Sequence, residues 1–272
     1  MLFPERKSGL VRLSDAVKIG LECCRKTSQD TLRTYTLAEP YYTECRQIAQ
    51  RAERGEIGYD EADKLAAKLL GAIPDEMSSA IVALQAQLHS QSLTTILTCC
   101  FCLESYINSF GYFLFKESDF LGLSAKGRGS SADAILNAVD RLSAKAKWET
   151  FGRLGGGPGF DRSKTPFQDF QFLFNFRDDH VHDKAVPYSD DRAVKRYNRN
   201  FPDPVLGLLD LGHALYAAEV YWKMAEEIHR LTGVEPQKFR RHYNLKPWFD
   251  SEHLASVREL TTRYRKAFPL FG

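Results

Sequence analysis

The sequence has no marked excess of either charge. It holds 37 Lys and Arg against 35 Asp and Glu, a formal net charge of +2. A nucleic-acid binder that works through a global basic field needs a wider margin, so any contact with RNA has to come from local patches. Alternating strand-type patterns are scarce, and no repeat or low-complexity tract is present. The start, Met1-Leu2-Phe3-Pro4-Glu5-Arg6-Lys7, lacks the apolar core of a signal peptide. Cysteine is present but poorly placed for a disulfide framework. Of Cys23, Cys24, Cys45, Cys99, Cys100 and Cys102, the last three crowd one apolar run. These features lead us to expect a reduced, cytoplasmic protein.

What the sequence does have is helical periodicity and enough apolar content, 43% of 272 residues, to bury a substantial core. Residues 13–25, 38–54 and 60–71 read as short amphipathic helices. Gly71 and Pro74 then punctuate the chain. From about residue 76, Ile81, Leu84, Leu88, Ile96, Cys100, Leu103, Ile107, Phe110 and Leu114 recur at three- and four-residue steps. The run from Leu93 to Phe115 is the longest apolar one, but it carries Glu104 and Asn108. A carboxylate near the middle of a bilayer is costly, so a buried helix of a bundle fits better and no membrane partner is expected.

Lys126 to Ser131 reads as a loop before a helix over 132–147. Gly152 to Gly159 reads as a flexible connection, since it lacks the Lys-Ser/Thr ending of a phosphate-binding loop. Thr165-Pro166-Phe167-Gln168 carries a capping-box pattern with Pro at the first helical position, and Phe167, Phe170, Leu173 and Phe174 supply a buried face. A long helix is expected over 204–231, stopped by Gly233. The expectation is an all-α fold, a helical bundle over 76–235. Additional N-terminal helices fill 1–75, with no role assigned, and a short basic helical extension fills 236–272.

Ionisable groups concentrate in Phe174-Asn175-Phe176-Arg177-Asp178-Asp179-His180-Val181-His182-Asp183. A guanidinium offers a planar fork of donors to a phosphate and stays charged, and an imidazole moves protons near neutrality. Metal-free RNA cleavage needs both abilities: one group to deprotonate the ribose 2′-hydroxyl, one to offset charge on the phosphorane-like transition state. Arg177 and His182 are five positions apart, roughly 140° on a regular helix. Asp178 and His182 are four apart and share a face, so Asp178 can orient the imidazole. Two half-sites meeting across a two-fold axis would resolve the offset between Arg177 and His182.

Arg177-Asp178-x-x-x-His182 resembles the signature of the HEPN superfamily, whose polar position is typically Asn, Asp or His. Leu103-Glu104-Ser105-Tyr106-Ile107-Asn108 looks like that family's preceding helix, which often carries a Glu facing the site. The resemblance covers about residues 76–232. It implies a dimerising four- or five-helix bundle and a metal-independent endoribonuclease with no cofactor. Arg177, His182 and Asp178 would be catalytic, and Glu104, Asn108 and His180 would border the site. It also implies RNA and an antitoxin or regulatory protein as partners, since active members occur in toxin–antitoxin, phage-defence and RNA-processing systems. Other members have lost catalysis and serve as binding or scaffold modules, which is the alternative function here. A subgroup of toxins carries Tyr two residues after the His, where this chain has Lys184.

The same residues admit simpler readings. Arg177 and His182 can cap a helix end and pair with Asp178, Asp179 and Asp183. His180-x-His182 has a spacing that suits metal ligation on a strand rather than a helix. Cys99-Cys100-Phe101-Cys102 has no second pair and reads as core packing, and His213 reads as a satisfied core or near-site histidine. Basic stretches run from Lys184 to Arg199, with Arg192, Lys195 and Arg196, and from Lys238 to Lys246. They interleave cations with Tyr188, Tyr197, Phe239 and Tyr243, a mixture that suits single-stranded RNA as well as a solvated face.

Overall fold

A computed structural model describes residues 4–114, 141–154, 157–181, 209–246 and 251–268. Among the described residues there are eight helices and no strand, so the chain is all-α. They are α1 (Pro4–Glu53), α2 (Tyr59–Leu70), α3 (Asp75–Leu114), α4 (Ala144–Gly152), α5 (Phe167–Val181), α6 (Leu211–Thr232), α7 (Pro236–Tyr243) and α8 (Ser251–Ala267).

The two separate helices expected over 13–25 and 38–54 are one continuous helix, α1. The stretch between them is rich in Thr, Ser and Asp, which usually weaken helices. Here Thr31, Thr34 and Thr36 donate back to the carbonyls of Thr27, Asp30 and Leu32, while Thr27, Ser28 and Thr31 are buried. Packing against α3 therefore overrides propensity. Pro40 lies inside the helix and leaves the Thr36 carbonyl without its backbone donor.

α3 is the central helix, and its second half is buried on nearly every side, from Ile96 through Cys99, Cys102 and Tyr106 to Phe110. No helix among the described residues is long and apolar enough to cross a membrane. α1 runs antiparallel to α3, as the pairs Cys24–Ser92 and Thr27–Gln91 require. α6 runs parallel to α3, joined to it by Ser92–Asp210 at one end and Tyr106–His229 at the other. One buried cluster gathers Leu10 and Val17 of α1, the α3 core, Trp148 of α4, the α5 aromatics, and Phe239 and Tyr243 of α7. The core thus runs across the positions near 75 and 235 at which the sequence invited division.

Helix ends follow local chemistry with three corrections. The expected helix over 132–147 has its first part outside the described residues. Its remainder starts only at Ala144, because Ser143 accepts the Ala146 N–H as an N-cap. The helix expected from 204 starts, among the described residues, at Leu211: Asp210 caps it, and His213 closes a reciprocal capping box. Its other end is as expected, with Gly233 in the left-handed conformation at φ 69°. α5 begins at Phe167, one residue later than the pattern suggests, after a cis Thr165–Pro166 peptide.

Candidate functional site

α5 packs Phe167, Phe170, Leu173, Phe174 and Phe176 into the core and continues as regular helix to Val181. That burial fixes the rotation of its last turns. Leu173 lies against α3 through its carbonyl, 3.7 Å from the Cys100 thiol, and one turn later Arg177 reaches Glu104. The two helices therefore run side by side, and residues 73 apart in sequence meet.

Arg177 is held on three sides. Its Nε and one terminal nitrogen donate to Asp178 Oδ1 at 3.0 and 2.7 Å, the other terminal nitrogen donates to Glu104 Oε2 at 3.4 Å, and its guanidinium lies 4.5 Å from the centre of the Phe174 ring. Its side chain is 19% exposed, with Glu104 at 46% and Asp178 at 40%. Carboxylates this exposed are well hydrated, so each pair contributes about 0–1 kcal/mol and serves mainly to orient the guanidinium. A guanidinium carries five N–H donors. Among the described residues three are engaged, and the other two, on the terminal nitrogens, have no partner there and suit an anionic oxygen. Asp178 Oδ2 likewise has no hydrogen bond among the described residues.

Asn108, one turn beyond Glu104, accepts a 2.7 Å hydrogen bond from the Lys147 ammonium of α4. Glu104 and Asn108 do project from one side of α3, but they meet different cations rather than each other. Lys147, only 6% exposed, is the participant that the sequence did not signal. Within Ala144-Lys145-Ala146-Lys147-Trp148 nothing distinguishes it from the exposed Lys145 except its place beside the fully buried Trp148. Behind the site, burial pushes the Cys100 thiol up to about 12, against the pull of the Arg177 charge. Cys99 and Cys102 are fully buried too, so this run packs as core. Among the described residues no three His, Cys, Asp or Glu side chains converge to hold a metal ion.

The structure thus brings together Arg177, Asp178 and Glu104, with Asn108 close by. His180 belongs to α5, but its side chain lies outside the described part. His182, Lys184, Arg192, Lys195 and Arg196 lie outside the described residues. No family model, no curated protein and no solved structure matches the chain.

Proposed function

We propose that the chain is a metal-independent endoribonuclease of the HEPN type, cytoplasmic and dimeric, acting as a toxin or phage-defence effector whose activity an antitoxin or regulatory protein controls. The observation that carries the reading is Arg177 itself: an oriented, half-buried guanidinium at the α3–α5 junction, with two N–H donors unspent among the described residues. Donors fixed before substrate arrives stabilise developing charge without reorganisation. In this mechanism Arg177 binds the scissile phosphate and offsets charge on the transition state. Asp178, through Oδ2, orients the imidazole of His182, which takes the proton of the ribose 2′-hydroxyl. The 2′-oxygen bonds to phosphorus as the P–O5′ bond breaks, and the departing 5′-oxygen takes a proton from solvent, which leaves a 2′,3′-cyclic phosphate and a 5′-hydroxyl.

The purified chain is expected to cleave a mixed RNA in the presence of chelator, with those termini identified by mass spectrometry. Arg177→Ala should slow cleavage by about 100-fold or more, by analogy with loss of one transition-state donor. His182→Ala should abolish it. Undiminished cleavage in either variant, or loss of cleavage on chelation, overturns the mechanism.

One observation favours a second reading. Glu104 and Asp178 together place two carboxylates on one guanidinium, an arrangement that also makes a structural ion-pair clamp between α3 and α5. A non-catalytic HEPN-like binding or scaffold module follows from that role. It predicts no cleavage by the wild type and loss of dimer or partner binding when Arg177 is replaced.

A further inference from the structure

We propose that Lys18 on α1, with Arg240, Arg241 and Lys246 at and after the end of α7, forms a track for the phosphate backbone of single-stranded RNA that reads no bases. The choice of RNA as the polyanion rests on the ribonuclease reading above.

In sequence, Lys238 to Lys246 interleaves aromatics with cations, the mixture that stacks bases while holding phosphates. Folding sorts the two kinds onto opposite sides. Phe239 is fully buried against Tyr106, Phe110 and His229, and Tyr243 is 6% exposed with its hydroxyl donating to the Ser109 carbonyl at 2.7 Å. Neither ring is open to a base. Arg241 and Lys246 remain exposed and Arg240 half-buried. α7 contains no carboxylate, and the preceding Glu235 is engaged with Lys238 at 3.0 Å. Among the described residues no ion pair engages Arg240, Arg241 or Lys246.

Lys18 extends this surface onto a second element. α1 packs against α7, and Lys18 lies close enough to Arg240 and Lys246 to feel both charges, so the three share one surface. Partial burial lowers the proton affinity of Lys18, and repulsion from Lys246 and Arg240 adds to this against the attraction of Asp15. Cations from α1 and from the end of α7, with Asp15 near Lys18 and Glu235 held by Lys238, form a positive surface on a chain of nearly balanced charge. A phosphodiester chain complements it. Backbone contacts position a strand without specifying its sequence.

The test is fluorescence anisotropy with labelled 20-nucleotide oligo-U and oligo-A over about 50 to 200 mM salt. The full chain carries His182→Ala, which should abolish cleavage and keep the RNA intact, with and without Arg240→Gln, Arg241→Gln and Lys246→Gln together. Without the glutamines, both oligomers should bind with similar affinity. With them, affinity should fall roughly tenfold or more, and the slope of log K against log salt should flatten by about 2, three contacts at 0.7 each. Thermal melting checks that the glutamine variant stays folded; if it does not, Arg241→Gln with Lys246→Gln, both exposed, should flatten the slope by about 1.4. Unchanged affinity and slope, a strong preference between the oligomers, or binding to phosphatidylserine vesicles but not to RNA overturns the track. Binding that behaves as expected, beside a wild type that does not cleave RNA, removes the ribonuclease reading and leaves the track. Cleavage that depends on Arg177 and His182, with binding unaffected by the glutamines, does the reverse.

Discussion

At the scale of single residues, Tyr106 and His229 show how a buried pair sets a charge state. His229 Nδ1 lies 2.9 Å from the Val234 carbonyl, which can only accept, so this nitrogen carries the proton. Nε2 then accepts from the Tyr106 hydroxyl at 2.8 Å. Burial raises the Tyr106 phenol, so it remains the donor. The neutral ring is thus satisfied on both sides. Burial lowers His229 below its ordinary value; the Val234 carbonyl opposes this and Arg240 reinforces it. A depressed folded value means stability that is complete above the unfolded value, about 6.5, and is lost as pH falls through the folded one. Urea unfolding should therefore show a midpoint that declines between about pH 7.5 and 5. His229→Gln should be less stable at the upper end but flatter across the range. Parallel declines in the two proteins would show that His229 does not titrate in this way.

At the scale of elements, the α1–α3 seam depends on a missing side chain. A Cβ on Gly20 would stand 2.5 Å from Thr95 Oγ1, an atom that already donates to the Gln91 carbonyl. A Cβ on Gly111 would meet the Phe151 ring at 2.6 Å, so α4 approaches α3 in the same way. Gly20→Val should destabilise the chain by about 1–3 kcal/mol through overpacking. Thr95→Ala in the same chain should recover part of that in chemical denaturation, and equal loss in the single and double variants would place the strain elsewhere. These seams also explain what was legible beforehand. The α3 stripe, the buried face of α5 and the Gly233 cap follow from periodicity and backbone chemistry, which sequence carries directly. The continuity of α1 was not legible, because it comes from tertiary burial of Thr27, Ser28 and Thr31. Arg177, Asp178 and Glu104 could each be nominated from sequence. The Arg177–Glu104 pairing, and the Lys147 clasp on Asn108, needed α4 and α5 to dock on α3.

At the scale of the whole molecule, Asp210 ties α3 and α8 to the start of α6. It sits at 3% exposure before α6, and its backbone carbonyl accepts from Ser92 of α3. Its carboxylate accepts from Arg265 of α8 at 2.7 and 3.1 Å. Burial alone would raise this carboxyl, but His213 and Arg265 outweigh it and hold the group well below the usual carboxylate range. A second buried cluster, with Leu21 and Tyr35 of α1, Leu211 and Leu215 of α6, and Leu254, Val257 and Tyr264 of α8, closes around the ion pair. Arg265→Ala should leave the carboxylate partly unpaired. Because Arg265 is 42% exposed, water can replace some of its donors, and the loss should be about 1–3 kcal/mol at neutral pH. The depressed carboxyl contributes stability above its unfolded value, near 4, and that contribution disappears as pH falls through the folded value. The gap between wild type and variant should therefore narrow in acid unfolding, and a constant gap down to about pH 2 would contradict the assignment.

The length of α1 has a consequence for how the molecule comes apart. The pairs Gly20–Thr95, Cys24–Ser92 and Thr27–Gln91 set an antiparallel register in which the first residue of α3 lies opposite about residues 40 to 43 of α1. Beyond that point roughly 15 Å of α1 runs past the start of α3. Among the described residues α2 covers it there, through the small cluster of Ile48, Ala52 and Ala62. Among the described residues that outrigger has the thinnest support, so it is expected to fray and re-form ahead of the α3–α5 junction.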